Sequence, residues 1–116
     1  MAVYESPGNQ KKLIVDIFNT PVNAGSNLFT NDISVYQDTE KIRATIAVDS
    51  NAKFDIQDTL SGTTVSYTLN NGNALNASVY DTFDIEADSS HSYNFQLQTA
   101  CTVLMCRVFT LGGLTP

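Results

Sequence analysis

His91 is the single histidine of the chain, and it stands inside Asp88-Ser89-Ser90-His91-Ser92. Imidazole moves protons near neutral pH. Ser, His and Asp are also the residue types of acyl-transfer catalysis. That chemistry needs a base oriented by one group and a nucleophile held on a rigid turn. Neighbours on one polar loop do not supply this arrangement, so His91 is expected to be a solvated turn residue. No GxSxG, HExxH or phosphate-loop pattern offers another route. The expectation is a non-enzymatic chain with no catalytic residue and no cofactor.

Acids gather at Asp81, Asp84, Glu86 and Asp88. Asp84 and Glu86 lie two apart, so a strand turns both carboxylates to one face. Calcium takes six or more oxygens, usually from several loops, and the EF-hand spacing is absent. A solvated acidic face is expected. Asn70-Asn71-Gly72-Asn73 is the strongest turn signal, because Asn and Gly tolerate positive φ. Asn76 follows it, and Tyr67 and Tyr80 flank it. Amides match sugar hydroxyls, and a tyrosine face stacks on a pyranose, although the chain has no Trp. Asn70, Asn71, Asn73, Asn76, Asp88 and His91 are therefore the candidate ligand-binding loop residues, with a host-surface glycan as the ligand class.

Cys101 and Cys106 lie five apart and face opposite sides of an unbroken strand. A disulfide between them requires a bulge or a turn. Two reduced, packed thiols are expected. With one histidine and no CxxC pair, no metal site is expected.

The elements that carry these residues read as strands. Val, Ile, Phe, Tyr and Thr number 9, 7, 6, 5 and 13 in 116 residues, while Glu, Lys and Arg number 3, 4 and 2. This balance argues against a helical bundle. Residues 1–12 read as a polar arm. Leu13 to Phe18 is the first strand, ended by Asn19-Thr20-Pro21, and Asp32 to Tyr36 opens the next. Ile42 to Val48 and Lys53 to Gln57 alternate and are expected to form a hairpin around Asp49-Ser50-Asn51. Val65, Tyr67 and Leu69 share a face. Phe83 and Ile85 point inward, as do Tyr93, Phe95 and Leu97. Cys101 to Phe109 is the expected central strand, and residues 112–116 form a tail. About eight strands spaced near ten residues apart predict a single antiparallel, jelly-roll-like β-sandwich over residues 13–111.

The net charge is −6, and the bases form no run beyond Lys11-Lys12. Neither nucleic acid nor an anionic membrane is an expected partner. No apolar run reaches the ~20 residues of a membrane helix, and the N-terminus lacks signal-peptide order. The outward positions Thr64, Ser66, Thr68, Asn94, Gln96 and Gln98 are uncharged. Isolated β-domains often place Lys or Glu there to discourage edge pairing. A neutral polar β-surface suits contact with neighbouring copies.

The chain opens MAVYESPGNQKK and runs through alternating strands to GNALNASVYDTFDIEADSSHSYNFQLQTACTVLMCRVFTLGG. In strand rhythm and in its Asn, Thr and Gly turns it resembles small β-sandwich or jelly-roll virion proteins of phages and archaeal viruses, over residues 13–111. The resemblance implies a minor capsid, decoration, turret or fibre subunit, made in the host cytoplasm. It would act as a symmetric homo-oligomer with other virion proteins as partners.

Overall fold

The computed structural model describes residues 10–37 and 39–112. The first nine residues of the expected arm and residues 113–116 of the expected tail lie outside them. Eight strands follow one another: β1 (Gln10–Val22), β2 (Ile33–Ser34), β3 (Thr39–Val48), β4 (Phe54–Leu60), β5 (Thr63–Thr68), β6 (Asp81–Glu86), β7 (His91–Leu97) and β8 (Cys101–Gly112). β1 pairs with β8, β2 with β7, β3 with β6 and β4 with β5, all antiparallel. This is one long ribbon doubled back at Ser61-Gly62. Rolling the ribbon brings β8 beside β3 and β7 beside β4. The result is two four-stranded sheets, β1-β8-β3-β6 (sheet A) and β2-β7-β4-β5 (sheet B), stacked as a jelly-roll-like sandwich.

The core lies between the sheets. Ile42, Ala44 and Ile46 meet Phe54, Ile56, Phe95 and Leu97 there. β8 is central, as its apolar run predicts, between β1 and β3.

Four features differ from the sequence reading, each for a physical reason. The β3–β4 hairpin does not exist, because the two strands belong to different sheets. Alternation says that each strand has one buried face. It does not say that the faces share a sheet. Asp49 to Lys53 instead crosses the sandwich. Asp49 N–H donates to Thr102 C=O at 3.0 Å, and Ala52 exchanges backbone bonds with Leu75 at 3.1 and 2.7 Å.

β1 does not stop at Asn19-Thr20-Pro21 but runs on to Val22. It is an edge strand, where the missing N–H of Pro21 costs no ladder bond. At its start, Lys11 and Lys12 pair with Leu111 and Thr110.

Cys101 and Cys106 do not face opposite sides. Both pack on the core. The register slips where Ala47 meets Met105 and Val48 meets Val103, and Asn19 on β1 takes a positive φ of 46°. This bulge reverses the pleat at Leu104. Five residues still separate the thiols by about 16 Å along the strand, beyond the ~7 Å a disulfide allows. Both are free.

Asn94 is not on an open surface but only 2% exposed. Gly25, Ser26 and Leu28 extend the β2 edge by backbone bonds to β7. The chain then leaves the edge before returning at Ile33. The Asn94 amide fills the gap. Its Oδ1 accepts from Phe29 N–H at 3.1 Å and Phe95 N–H at 2.9 Å, and its Nδ2 donates to Phe29 C=O at 3.0 Å. A side chain thus replaces a missing stretch of strand.

Replacing Asn94 with Ala leaves the buried Phe29 groups without partners. The expected loss is about 1–3 kcal/mol, read as a lower urea midpoint at an unchanged m-value.

Candidate functional site

The sandwich is open along the side between β5 and β6, the last strands of their sheets. A groove of about 620 Å³ runs there, lined by Asp58, Tyr67, Asn70 and Asn71 on one side and by β6 on the other. The positions follow from the β4–β5 hairpin. Ser61 and Gly62 take φ values of 51° and 82°, the paired positive angles of a type I′ turn. Strand β5 then carries Tyr67 opposite Ile56 and Val65 opposite Asp58. Leu69 closes over the core, and Asn70, Asn71 and Gly72 turn the chain with φ of 61°, 54° and 84°. The Asn signal for a turn is realised there as a 3-10 turn.

Asn70 and Asn71 line this groove, whereas His91 lines an adjoining opening of about 460 Å³ with Leu60, Ser61 and Val65. Asn73 gives its N–H to Asn70 C=O at 3.0 Å as part of the turn. Asn76 is exposed in the connector before β6. The candidate loop residues therefore do not form one cluster: Asn70 and Asn71 line the groove, His91 lines the adjoining opening, and Asn73, Asn76 and Asp88 line neither.

His91 does not act with its neighbours in sequence. It opens β7, and its Nδ1 meets Asp58 Oδ1 at 2.5 Å. Its ring stacks on Tyr93 at 6.3 Å between centroids. Asp88 instead caps its own turn, accepting from Ser90 N–H at 2.9 Å and Ser90 Oγ at 2.7 Å. Those bonds, led by the Ser90 hydroxyl, hold the Asp88 carboxyl below its ordinary range. The His91–Asp58 pair was hidden in the sequence because 33 positions separate the partners. Among the described residues, the hydrogen bond of the His91 ring goes to Asp58 and not to a serine hydroxyl.

The acidic face is partly neutralised. Arg43 on β3 lies opposite Asp84 on β6 and grips it with two bonds of 2.7 and 2.9 Å. Among the described residues, no three His, Cys, Asp or Glu side chains converge as a metal site. Burial pushes the Cys106 thiol up to about 12 and raises Cys101 as well, so neither thiolate is available near neutral pH. Among the described residues, no helix is long and apolar enough to cross a membrane.

The outer faces of the two sheets differ in charge. Lys11, Lys12, Lys41, Arg43 and Arg107 stand in strands of sheet A, and the strands of sheet B contain no Lys or Arg. On sheet A, Arg107 bonds Asp16 at 3.2 Å and lies 5.3 Å from the Phe18 ring. On sheet B the carboxylates are met mainly by neutral donors. Thr59 and Thr64 hydroxyls meet at 2.7 Å, and Gln98 donates to Asp55 at 2.6 Å. One signal for this was present in the chain itself. From Ser61 to Tyr80 there is no charged residue.

The Arg43 hydrogen bond, aided by the charges of Arg43 and Lys41, holds the Asp84 carboxyl below its ordinary 3.8. A lowered folded-state value stabilises fully above the unfolded value, and that contribution is lost as pH falls through the folded one. Asp84→Asn is therefore expected to lower stability at neutral pH by less than about 1 kcal/mol, since the pair is partly exposed. It should also flatten the loss below pH 3.8. Thermal melts between neutral and acid pH check both.

No known family model matches the chain, and no curated protein matches it. Among solved structures it is similar to a protein of Bacillus endospore appendages, described as a novel family of disulfide-linked pili. The TM-score is 0.45 and the identity 13%, over 98% of this chain and 100% of that one. It is also similar to the Tobacco streak virus coat protein, solved as a dimer. There the TM-score is 0.45 and the identity 10%, over 98% of this chain and 94% of that one. Likeness at this level is one of shape, and what the chain does must come from its own residues.

Proposed function

We propose that the chain is a non-enzymatic structural subunit of a virion, a jelly roll that works as a symmetric oligomer. The observation that carries this reading is the unequal division of charge between the sheets. A surface shaped only for solubility intersperses both signs. Here the strands of sheet B carry no base, and an uncharged run follows from Ser61 to Tyr80. That uncharged stretch can meet a second copy without desolvating charges of its own, through hydrogen-bonded, wet contacts. Weak contacts repeated by symmetry then add to a stable particle. Minor capsid, decoration, turret or fibre positions all fit this role, with other virion proteins as partners.

Native mass spectrometry over a concentration series tests the assembly. The expected result is a discrete closed oligomer. A strict monomer at high concentration, accepted by no larger complex, would sink the reading.

A second reading, a carbohydrate- or receptor-binding module, is favoured by the groove where Tyr67 stands with Asn70 and Asn71. It predicts a glycan-array signal that Tyr67→Ala removes. Silence of the native chain on the array counts against it.

A further inference from the structure

The four sheet edges are β1 and β6 in sheet A, and β2 and β5 in sheet B. Three are guarded by the devices that keep β-edges apart. β1 has a bulge between Leu13 and Val15, and it carries Lys11, Lys12, Asp16 and Pro21. β6 carries Asp81, Asp84 and Glu86. β2 is only 2 residues long. β5, with the sequence Thr-Thr-Val-Ser-Tyr-Thr, has no charge and no proline, and its ladder to β4 has no bulge.

Which backbone groups β5 leaves free can be worked out. In a two-residue hairpin the flanking pair exchanges both bonds, and bonded and non-bonded pairs then alternate. Leu60 and Thr63 are that flanking pair. Thr63, Val65 and Tyr67 therefore bond to β4, and the bond from Leu69 N–H to Phe54 C=O at 2.8 Å continues the same parity. The N–H and C=O groups of Thr64, Ser66 and Thr68 point away from the sheet.

We propose that β5 pairs antiparallel with β5 of a second copy, about a two-fold axis at Ser66. This rests on the self-assembly reading above and names its interface. Only this register uses all three outward residues, with Ser66 opposite Ser66 and Thr64 opposite Thr68. It joins two four-stranded sheets into one of eight. Val65 of each copy then falls opposite Tyr67 of the other, in the non-hydrogen-bonded positions where side chains approach closest. These two side chains are 61% and 46% exposed in the single chain. A strand that complements itself this way points to a second copy rather than a different partner. The uncharged stretch from Ser61 to Tyr80 lets two chains of net charge −6 approach there.

The test uses the full chain carrying Cys101→Ser, with Cys106 left in the core. Ser66→Cys is expected to give a disulfide-linked dimer under mild oxidation. Thr64→Cys alone should not, and Thr64→Cys combined with Thr68→Cys should. Ser66→Lys is expected to weaken association at least about tenfold by setting like charges opposite each other. Its outward N–H and exposed side chain leave the melting temperature of the isolated chain unchanged. An oligomer that Ser66→Lys leaves intact and Ser66→Cys does not link overturns this pairing and leaves the assembly reading standing. Linkage through Thr64→Cys but not Ser66→Cys overturns the register. A native chain that stays monomeric at every concentration overturns both readings.

Discussion

A folded sheet must account for every backbone N–H and C=O, and open sheets cannot do so at their edges. Two four-stranded sheets have four such edges. Much of this molecule follows from how each is treated. The β2 edge is the most elaborate. Its strand is 2 residues long, yet β7 needs partners along more of its length. Residues 25–28 supply some of them, and the amide of Asn94 supplies the rest. The β1 edge is broken by a bulge and dressed with lysines, and the β6 edge is lined with carboxylates. β5 has none of these, so its bareness is a departure from a rule the same chain follows elsewhere.

The surplus of Asn, Gln, Ser and Thr takes on several meanings in this light. Asn94 is a piece of ladder. Gln98 and Thr68 both bond Asp55, and Thr59 bonds Thr64, so part of the neutral surface of sheet B is occupied within the chain. What remains free on β5 is mainly backbone. Any contact made there draws its strength from hydrogen bonds of the main chain and its register from Val65 and Tyr67. Outward polar side chains tune the fit. The bases of the strands are kept on sheet A, where cations settle over aromatic rings, as Lys11 does 4.1 Å from the centre of Phe109.

The strands were legible because one buried face imposes a period of two. Phe83 and Ile85, or Tyr93, Phe95 and Leu97, announce themselves in this way. Sheet membership was not legible, because strands facing each other across a core and strands lying side by side have the same alternation. Hence β3 and β4 looked like a hairpin and are opposite layers. A pleat reversal also leaves no trace in composition, so Cys101 and Cys106 seemed to diverge. The candidate site was legible only in part. The Asn-rich turn could be seen from local chemistry. The meeting of His91 with Asp58 depends on β4 and β7 being neighbours, a fact of topology. Tyr67 looked like a core residue by its parity, and it is half-exposed because β5 is the last strand of its sheet.

That half-exposed tyrosine links the two functional readings and makes them compete. A sugar stacking on Tyr67 needs its ring face free beside Asn70 and Asn71. A second β5 strand sets Val65 of its own chain against the same ring. One side chain cannot do both at once. The turn Asn70–Gly72 lies beyond the end of β5, outside the residues that the strand pairing joins. Self-pairing would therefore strip the groove of its aromatic platform and keep its amides. Amides without a stacking surface make a weak sugar site, since the apolar contact is lost and water competes for each hydrogen bond. Assembly through β5 and glycan binding through Tyr67 thus exclude each other on physical grounds.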